Sequence, residues 1–453
     1  RGLGDVYKRQ IDNTSGSAKV LLDVNPVTIG GDFAFSTSAG TASNNLTLPG
    51  AVTLATDRTI TLHGAGALTL SGAITNTSDS VRTLTVNTGA GTTAATLLTL
   101  SGGYNLTGAG STAARNDVIN GTANVTISGV IADGVSAGSG LVYSGSAALT
   151  LSGANTFTGG VTVSSGTVKL GATTLSLGTA ASPATVNSGG VLDVNGQAFT
   201  TLNTLTINGS GPAGAGALID GTSTVASYAG AVTLGSSSTI GNLGTQLFTV
   251  GGNITGSGSL TTKVASTGGI TLSNVNNTGA IYNTGSTAGA VTMSAVGSNV
   301  TGITQSSTTS TLTLGTVTVG SSQSWTNNGT TFTANGAVGA GANTLTLDGT
   351  GAGLTTLTGG LTFSGAGGLV IGKSGALGTT ISTTAVTMGG TGGLTVNSGA
   401  SAVTLSAATS ITADQTWVNN STTTVQVTGA NTYTNNLTLN GGSFNFSGAS
   451  GGA

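Results

Sequence analysis

The chain of 453 residues carries a formal net charge of −2, with only 5% charged residues and no cysteine. That balance offers no basic field for nucleic acid and no polybasic stripe for an anionic membrane. It also excludes a disulfide framework, a thiolate nucleophile and a cysteine-based zinc site. The 79 glycines and the absence of any Glu among the 12 acidic residues speak against helices, while the Thr and Val content suits strands and the 37% of hydrophobic residues weighs against disorder.

In chain order, residues 1–10 read RGLGDVYKRQ and hold Arg1, Asp5, Lys8 and Arg9, a charge density foreign to the rest. The string resembles adapter-derived peptides at the ends of fragmentary translated reading frames and is set aside from the fold. No run of about 18 apolar residues crosses a bilayer and no signal peptide opens the chain. With no initial Met and a Gly-rich finish, both natural ends are expected to lie beyond it.

From 11 to 453 one unit recurs: an aliphatic residue, Thr, then a second apolar residue, flanked by Gly, Asn or Ser. It runs from Leu46-Thr47-Leu48 through Val52-Thr53-Leu54, Leu68-Thr69-Leu70, Val161-Thr162-Val163 and Leu345-Thr346-Leu347 to Leu437-Thr438-Leu439. The spacing is about one triplet per twenty residues, in the range of repeat architectures. Period-two alternation places both aliphatic residues on one strand face and Thr on the other. A single unit buries only a few aliphatic side chains at ~1.5–3 kcal/mol each, while ordering costs ~1–2 kcal/mol per residue, so no unit folds alone. Stacked units share one apolar column. The expected architecture is therefore an all-β, parallel β-solenoid, continuous over 11–453, drawn out as a single elongated rod on the order of 100 Å without caps, with Gly and Asn at its corners in positive φ. Tandem sandwich domains are disfavoured by the four prolines and by the lack of a longer super-period.

Candidate chemistry is sparse. His63, the single histidine, sits in ITLHGAG at a strand end and reads as an exposed turn residue, since no Cys or Glu can join it in a metal cluster. Gly134-Val135-Ser136-Ala137-Gly138 fits a nucleophile pattern that chance supplies at this Gly content, with no helix to follow. Gly209-Ser210-Gly211-Pro212-Ala213-Gly214 likewise fits a dinucleotide pattern but leads into no helix. Asp57, Asp79, Asp117, Asp133, Asp193, Asp220, Asp348 and Asp414 are scattered; a polysaccharide-acting β-helix enzyme would need several of them beside a basic residue on neighbouring coils. Lys169, Lys263 and Lys373 read as isolated surface charges that block edge pairing. No catalytic, cofactor or metal residue is assigned.

Two segments align without a gap: LSGANTFTGGVTVSSGTVKLG at 151–171 and VTGANTYTNNLTLNGGSFNFS at 427–447. Gly153 and Asn155 return as Gly429 and Asn431, Phe157 as Tyr433, and Val161 and Val163 as Leu437 and Leu439. QSWTNN at 323–328 and QTWVNN at 415–420 hold the two tryptophans, Trp325 and Trp417. These strings resemble the autotransporter-associated β-strand repeat, or passenger-associated transport repeat, of large bacterial autotransporter adhesins, with recognisable copies near 149–211 and 411–448. The aromatic residues read as packing over a coil corner in preference to a carbohydrate-binding stripe.

The resemblance implies a right-handed β-helix passenger, exported to the cell surface through an outer-membrane β-barrel that this segment does not include. It implies a stalk and binding surface rather than an enzyme. Host cells, matrix, carbohydrate or sister copies are its possible partners, with no membrane insertion by this segment and no nucleic acid. An ice-binding solenoid is a further alternative, which would demand a flat and regular Thr array.

Overall fold

The computed structural model describes residues 10–22, 24–36, 44–93, 97–375, 378–381, 385–448 and 450–452; residues 1–9 of the charged opening segment lie outside them. The fold is an all-β parallel β-solenoid of about 19 turns. Among the described residues the one helical element is a 3₁₀ turn at Pro212–Gly214, in which Ala213 has φ 53. The chain divides into two units: Arg1–Ala213 with Ala217–Ile219 and Ala226–Ala231, and Gly214–Gly216 with Asp220–Val225 and Val232–Ala453.

In the first unit each coil contributes up to three short strands. Arg58–Leu62, Leu68–Leu70 and Ile74–Asn76 are followed one coil later by Thr83–Thr88, Leu97–Leu100 and Tyr104–Thr107, each pairing in parallel with its predecessor. The register aligns like with like. Leu46, Leu68, Leu98, Val125, Leu149 and Val168 form one inward file, and Thr47, Thr69, Thr99, Thr126 and Thr150 form the outward file beside it. Leu68, Leu98, Leu149 and Val168 are fully buried. A one-residue slip would turn every such side chain out to water, so the alternation fixes the register.

The second unit repeats this at about 22 residues per coil. Thr249, Thr271, Thr292, Thr313, Thr333, Thr356, Thr380 and Thr404 lie in register on successive strands, each flanked on both sides by inward residues. Every coil therefore draws its core from neighbours about 22 residues away in sequence, and the backbone groups of its strands are paired with the coils on either side.

Corners are tighter than turn chemistry alone would require. Gly50, Gly72, Gly102, Gly129 and Gly153 sit on successive coils, and a Cβ at each of the last four would strike the backbone of the glycine before it or that glycine's neighbour. Neither Gly153 nor Gly429 has positive φ. These corners use Gly for closeness of backbone to backbone rather than for left-handed conformation. The expectation of positive φ at corners is met at other glycines, such as Gly103, Gly160 and Gly349, but corrected for Asn: among the described residues Asn195 alone adopts it.

Candidate functional site

The two sequence copies fold into matching elements. Val161–Val163 and Gly166–Leu170 in the first correspond to Leu437–Gly441 and Phe444–Phe446 in the second. Gly153 faces the Gly129 carbonyl, and Gly429 faces the Ala407 carbonyl, so in both copies a side chain at that position would collide with the preceding coil. Asn155 is fully buried; its Oδ1 accepts the Ile131 N–H at 2.8 Å and its Nδ2 donates to the Ser176 carbonyl at 2.8 Å, joining three levels of the stack. Asn431 is buried at the equivalent place. Phe157, Val161 and Val163 are core residues. Leu437 is half-buried and Leu439 is exposed, because their strand pairs with Gln415–Asn419 on one side only among the described residues. Tyr433 is half-buried.

The Gln-x-Trp-x-Asn strands alternate inward Gln, Trp and Asn with outward residues. Trp325 and Trp417 are buried within these strands, so they form no surface stripe and lie in the column rather than over a corner. Gln415 donates to the carbonyls of Met388 at 2.9 Å and Gly390 at 2.7 Å, and its Oε1 accepts the Trp417 indole N–H at 3.0 Å.

The final Asn of these strands belongs to a corner device that sequence reasoning missed. Asn419 accepts the Ser421 N–H at 3.0 Å and donates to the carbonyls of Thr423 at 2.9 Å and Ser443 at 2.9 Å, closing its own turn and tying it to the next coil. Asn13, Asn76, Asn242 and Asn327 also accept from the residue two places on and donate to carbonyls beyond the turn. Four of these turns read Asn-Thr-Ser-Gly-Ser, Asn-Thr-Ser-Asp-Ser, Asn-Asn-Gly-Thr-Thr and Asn-Asn-Ser-Thr-Thr. Asn followed at the second and fourth places by Ser, Gly or Thr after an inward strand is a signal that could have found them. Asn283, Gln305 and Asn327 lie in register, with Asn283 donating to Gln305 Oε1 at 2.7 Å, so the corners stack as a buried amide ladder.

The scattered carboxylates serve the same end. Asp32 accepts the Thr59 N–H at 2.9 Å, Asp57 that of Thr83 at 3.1 Å, Asp133 that of Thr158 at 2.9 Å and Asp414 that of Asn436 at 2.9 Å, each reaching the next coil. Asp79 takes both the N–H and the hydroxyl of Thr112, which hold its carboxyl below the usual range with further help from Arg115 at 2.7 Å. Asp117 is buried beneath Tyr104, Asn76 and the Arg82 N–H; desolvation raises its pKa against those hydrogen bonds. Among the described residues no three His or carboxylate side chains converge to hold a metal ion.

His63 is half-buried, and its Nδ1 accepts the Ala90 N–H at 2.9 Å, so it is not the exposed turn residue expected. Ser136 lies in the turn between strands Ile131–Gly134 and Gly140–Tyr143, with its hydroxyl on the Ser111 carbonyl at 3.4 Å. Two lysines depart from the surface reading. Lys169 pairs with Asp193 at 3.5 Å, and Lys373 is fully buried with Nζ donating to the Gly351 carbonyl at 2.6 Å. Lys373 lies against Gly375, where a Cβ would strike its Nζ, so the missing side chain there leaves room for it. Burial lowers its pKa.

These features define a repeat protein whose polar residues are spent on coil-to-coil cohesion. Residues 141–170, from one coil's strand Gly140–Tyr143 to the next coil's Gly166–Leu170, match the family model of the passenger-associated-transport-repeat. The chain thus carries a passenger-associated transport repeat within a β-solenoid, an arrangement typical of autotransporter passenger domains, which are secreted by way of the outer membrane. No curated protein and no solved structure matches the chain. Among the described residues no helix is long and apolar enough to cross a membrane.

Proposed function

We propose that this chain is a displayed, non-catalytic part of a bacterial surface adhesin: a coil stack that holds a repeated polar face outside the cell for contact with host cells, matrix or sister cells. The observation that carries this reading is the passenger repeat at 141–170 set in register within the stack. The chemistry agrees with it. The outward files are mostly Thr, the carboxylates are engaged with backbone N–H groups of adjacent coils, and the arrangement suits broad contact better than bond making.

The test is a gain of adhesion. The chain is fused to an outer-membrane β-barrel translocator and displayed on a non-adherent strain, with the barrel alone as control. Increased attachment to epithelial cells or immobilised matrix, or increased settling of the culture, is the expected outcome. Full display with none of the three would overturn the adhesive role.

A further inference from the structure

We propose that the first unit carries a binding cleft for a neutral oligosaccharide, formed across four successive coils around Thr85, Asn87, Asn120, Ser144, Ser146 and Pro212. The cleft encloses about 510 Å³, within the range of small-ligand sites. Its coils are stacked in parallel through Thr83–Thr88, Asn116–Asn120, Gly140–Tyr143 and Val161–Val163, so at ~4.8 Å per coil it runs about 14 Å along the stack.

The first argument is unspent hydrogen-bonding capacity. Elsewhere in the molecule corner amides close their turns, as Asn76 and Asn419 do. Here, among the described residues, the side chains of Thr85, Asn87, Ser144 and Ser146 make no hydrogen bond, and Asn120 uses only its Oδ1, on the Gly121 N–H at 2.6 Å. The cleft thus presents hydroxyls and amides that both donate and accept, and no charged side chain lines it. A ligand matched to it is uncharged and dense in hydroxyl groups.

The second argument is the floor. Gly121, Gly145 and Gly166 stack on successive coils, where a Cβ at Gly145 would sit 2.8 Å from the Gly121 carbonyl oxygen and one at Gly166 would strike the Gly145 carbonyl. Side chains are barred there, which keeps the cleft open. Directly beneath lies Tyr143, 1% exposed, whose hydroxyl would be 2.6 Å from a Cβ on Gly145 and finds no acceptor. The hydroxyl oxygen meets the Ala147 N–H, while its own O–H lacks an acceptor beneath the glycine floor.

A peptide fits less well. The strand Asn116–Asn120 is paired on both sides, so it offers no free edge for an added strand. Pro212 stands at the rim of the cleft.

This inference adds a ligand to the display role above but is tested on the isolated chain, so its failure leaves display and adhesion untouched. Affinity electrophoresis is run through gels containing dextran, mixed-linkage β-glucan or galactomannan, all neutral. The expected result is retardation by at least one polysaccharide, equal at low and high salt, and relieved by its soluble oligosaccharide. Asn87→Ala combined with Asn120→Ala should weaken retention about tenfold, the equivalent of two ordinary hydrogen bonds, and Ser146→Arg should abolish it by filling the cleft. Asn328→Ala, in the second unit, should leave it unchanged. Thermal unfolding should be the same for the wild type and Ser146→Arg and only slightly lowered in the two Asn variants, since Asn120 accepts the Gly121 N–H at 2.6 Å and Asn328 the Thr350 N–H at 3.1 Å. No retardation by any of the three polymers, or retention of the Ser146→Arg protein equal to that of the wild type, would overturn the proposal.

Discussion

At Gly153 the absence of a side chain sets the distance between two coils. Its neighbour is the Gly129 carbonyl, and the same relation recurs between Gly429 and Ala407. Gly153→Val should therefore cost about 1–3 kcal/mol through forced separation of the coils, read as a lower denaturant midpoint with an unchanged slope. The repeat revealed the glycine, but its reason was hidden: alternation and composition speak of turns, whereas close approach between coils exists only once they are stacked. The Asn corners were hidden for the same reason. Asn419 looks like any turn residue until its two carbonyl partners, Thr423 and Ser443, are brought to it by neighbouring turns. Replacing it with Ala should cost about 1–3 kcal/mol by leaving buried backbone groups unpaired, measured by the same unfolding curve.

Buried tyrosines give a residue-scale prediction in pH. Burial pushes Tyr143 up to about 12 and carries Tyr104 and Tyr228 upward as well, while in the unfolded chain tyrosines ionise near 10. A group whose folded pKa is raised contributes stability that is complete below its unfolded value and is lost as pH rises through the folded value. The protein should accordingly keep its stability up to about pH 10 and lose it progressively toward pH 12. Absorbance at 295 nm should show these tyrosines ionising late and together with loss of the β signal in circular dichroism. Ionisation of all tyrosines near their ordinary value with the fold intact would contradict their burial.

At the scale of elements, the aliphatic-Thr-apolar triplet was legible and correctly faced. Leu68-Thr69-Leu70 and Val161-Thr162-Val163 are strands with buried outer positions and a partly exposed Thr. A coil has up to three strands, and many of them lack the pattern. Gly140–Tyr143, Ala226–Tyr228 and Thr379–Ile381 present Gly, Ala or Thr at places where the stack is already held by adjacent coils. Pairing partners about 22 residues apart are likewise invisible to a local window. The register supplies a direct check. Thr313 and Thr333 face outward side by side on paired strands, a separation of ~4.8 Å that falls within the Cα range for a disulfide. The Thr313→Cys, Thr333→Cys protein, otherwise free of cysteine, should cross-link on mild oxidation. The Thr313→Cys, Thr326→Cys control should not, since Thr326 pairs instead with Thr304 and Asp348.

At the scale of the whole molecule, the passenger repeat was the most informative stretch of sequence, because its Gly, Asn, aromatic and aliphatic positions each answer a separate demand of one coil. The scattered polar residues have structural work that no local pattern showed: Asp133 and Asp414 hold backbone N–H groups of the next coil, and Lys373 occupies space that a side chain on Gly375 would take. The cleft around Asn87 and Asn120 was not legible at all. It depends on four coils lying in register and on a turn near Pro212 reaching their side, neither of which any local pattern encodes.

We propose that display of this chain at the cell surface would depend on in-register coil stacking. The measurement that tests it most directly is protease accessibility on intact cells of the chain fused to an outer-membrane β-barrel, compared among the wild type, Val163→Asp and Thr162→Asp. Val163 is 1% exposed in the core and Thr162 faces outward one position away; an unpaired carboxylate at the first should cost several kcal/mol and at the second little. The account predicts that the wild type and Thr162→Asp are displayed at equal levels while Val163→Asp is retained or degraded. Display of Val163→Asp at the wild-type level, or failure of the wild type to reach the surface, would contradict it.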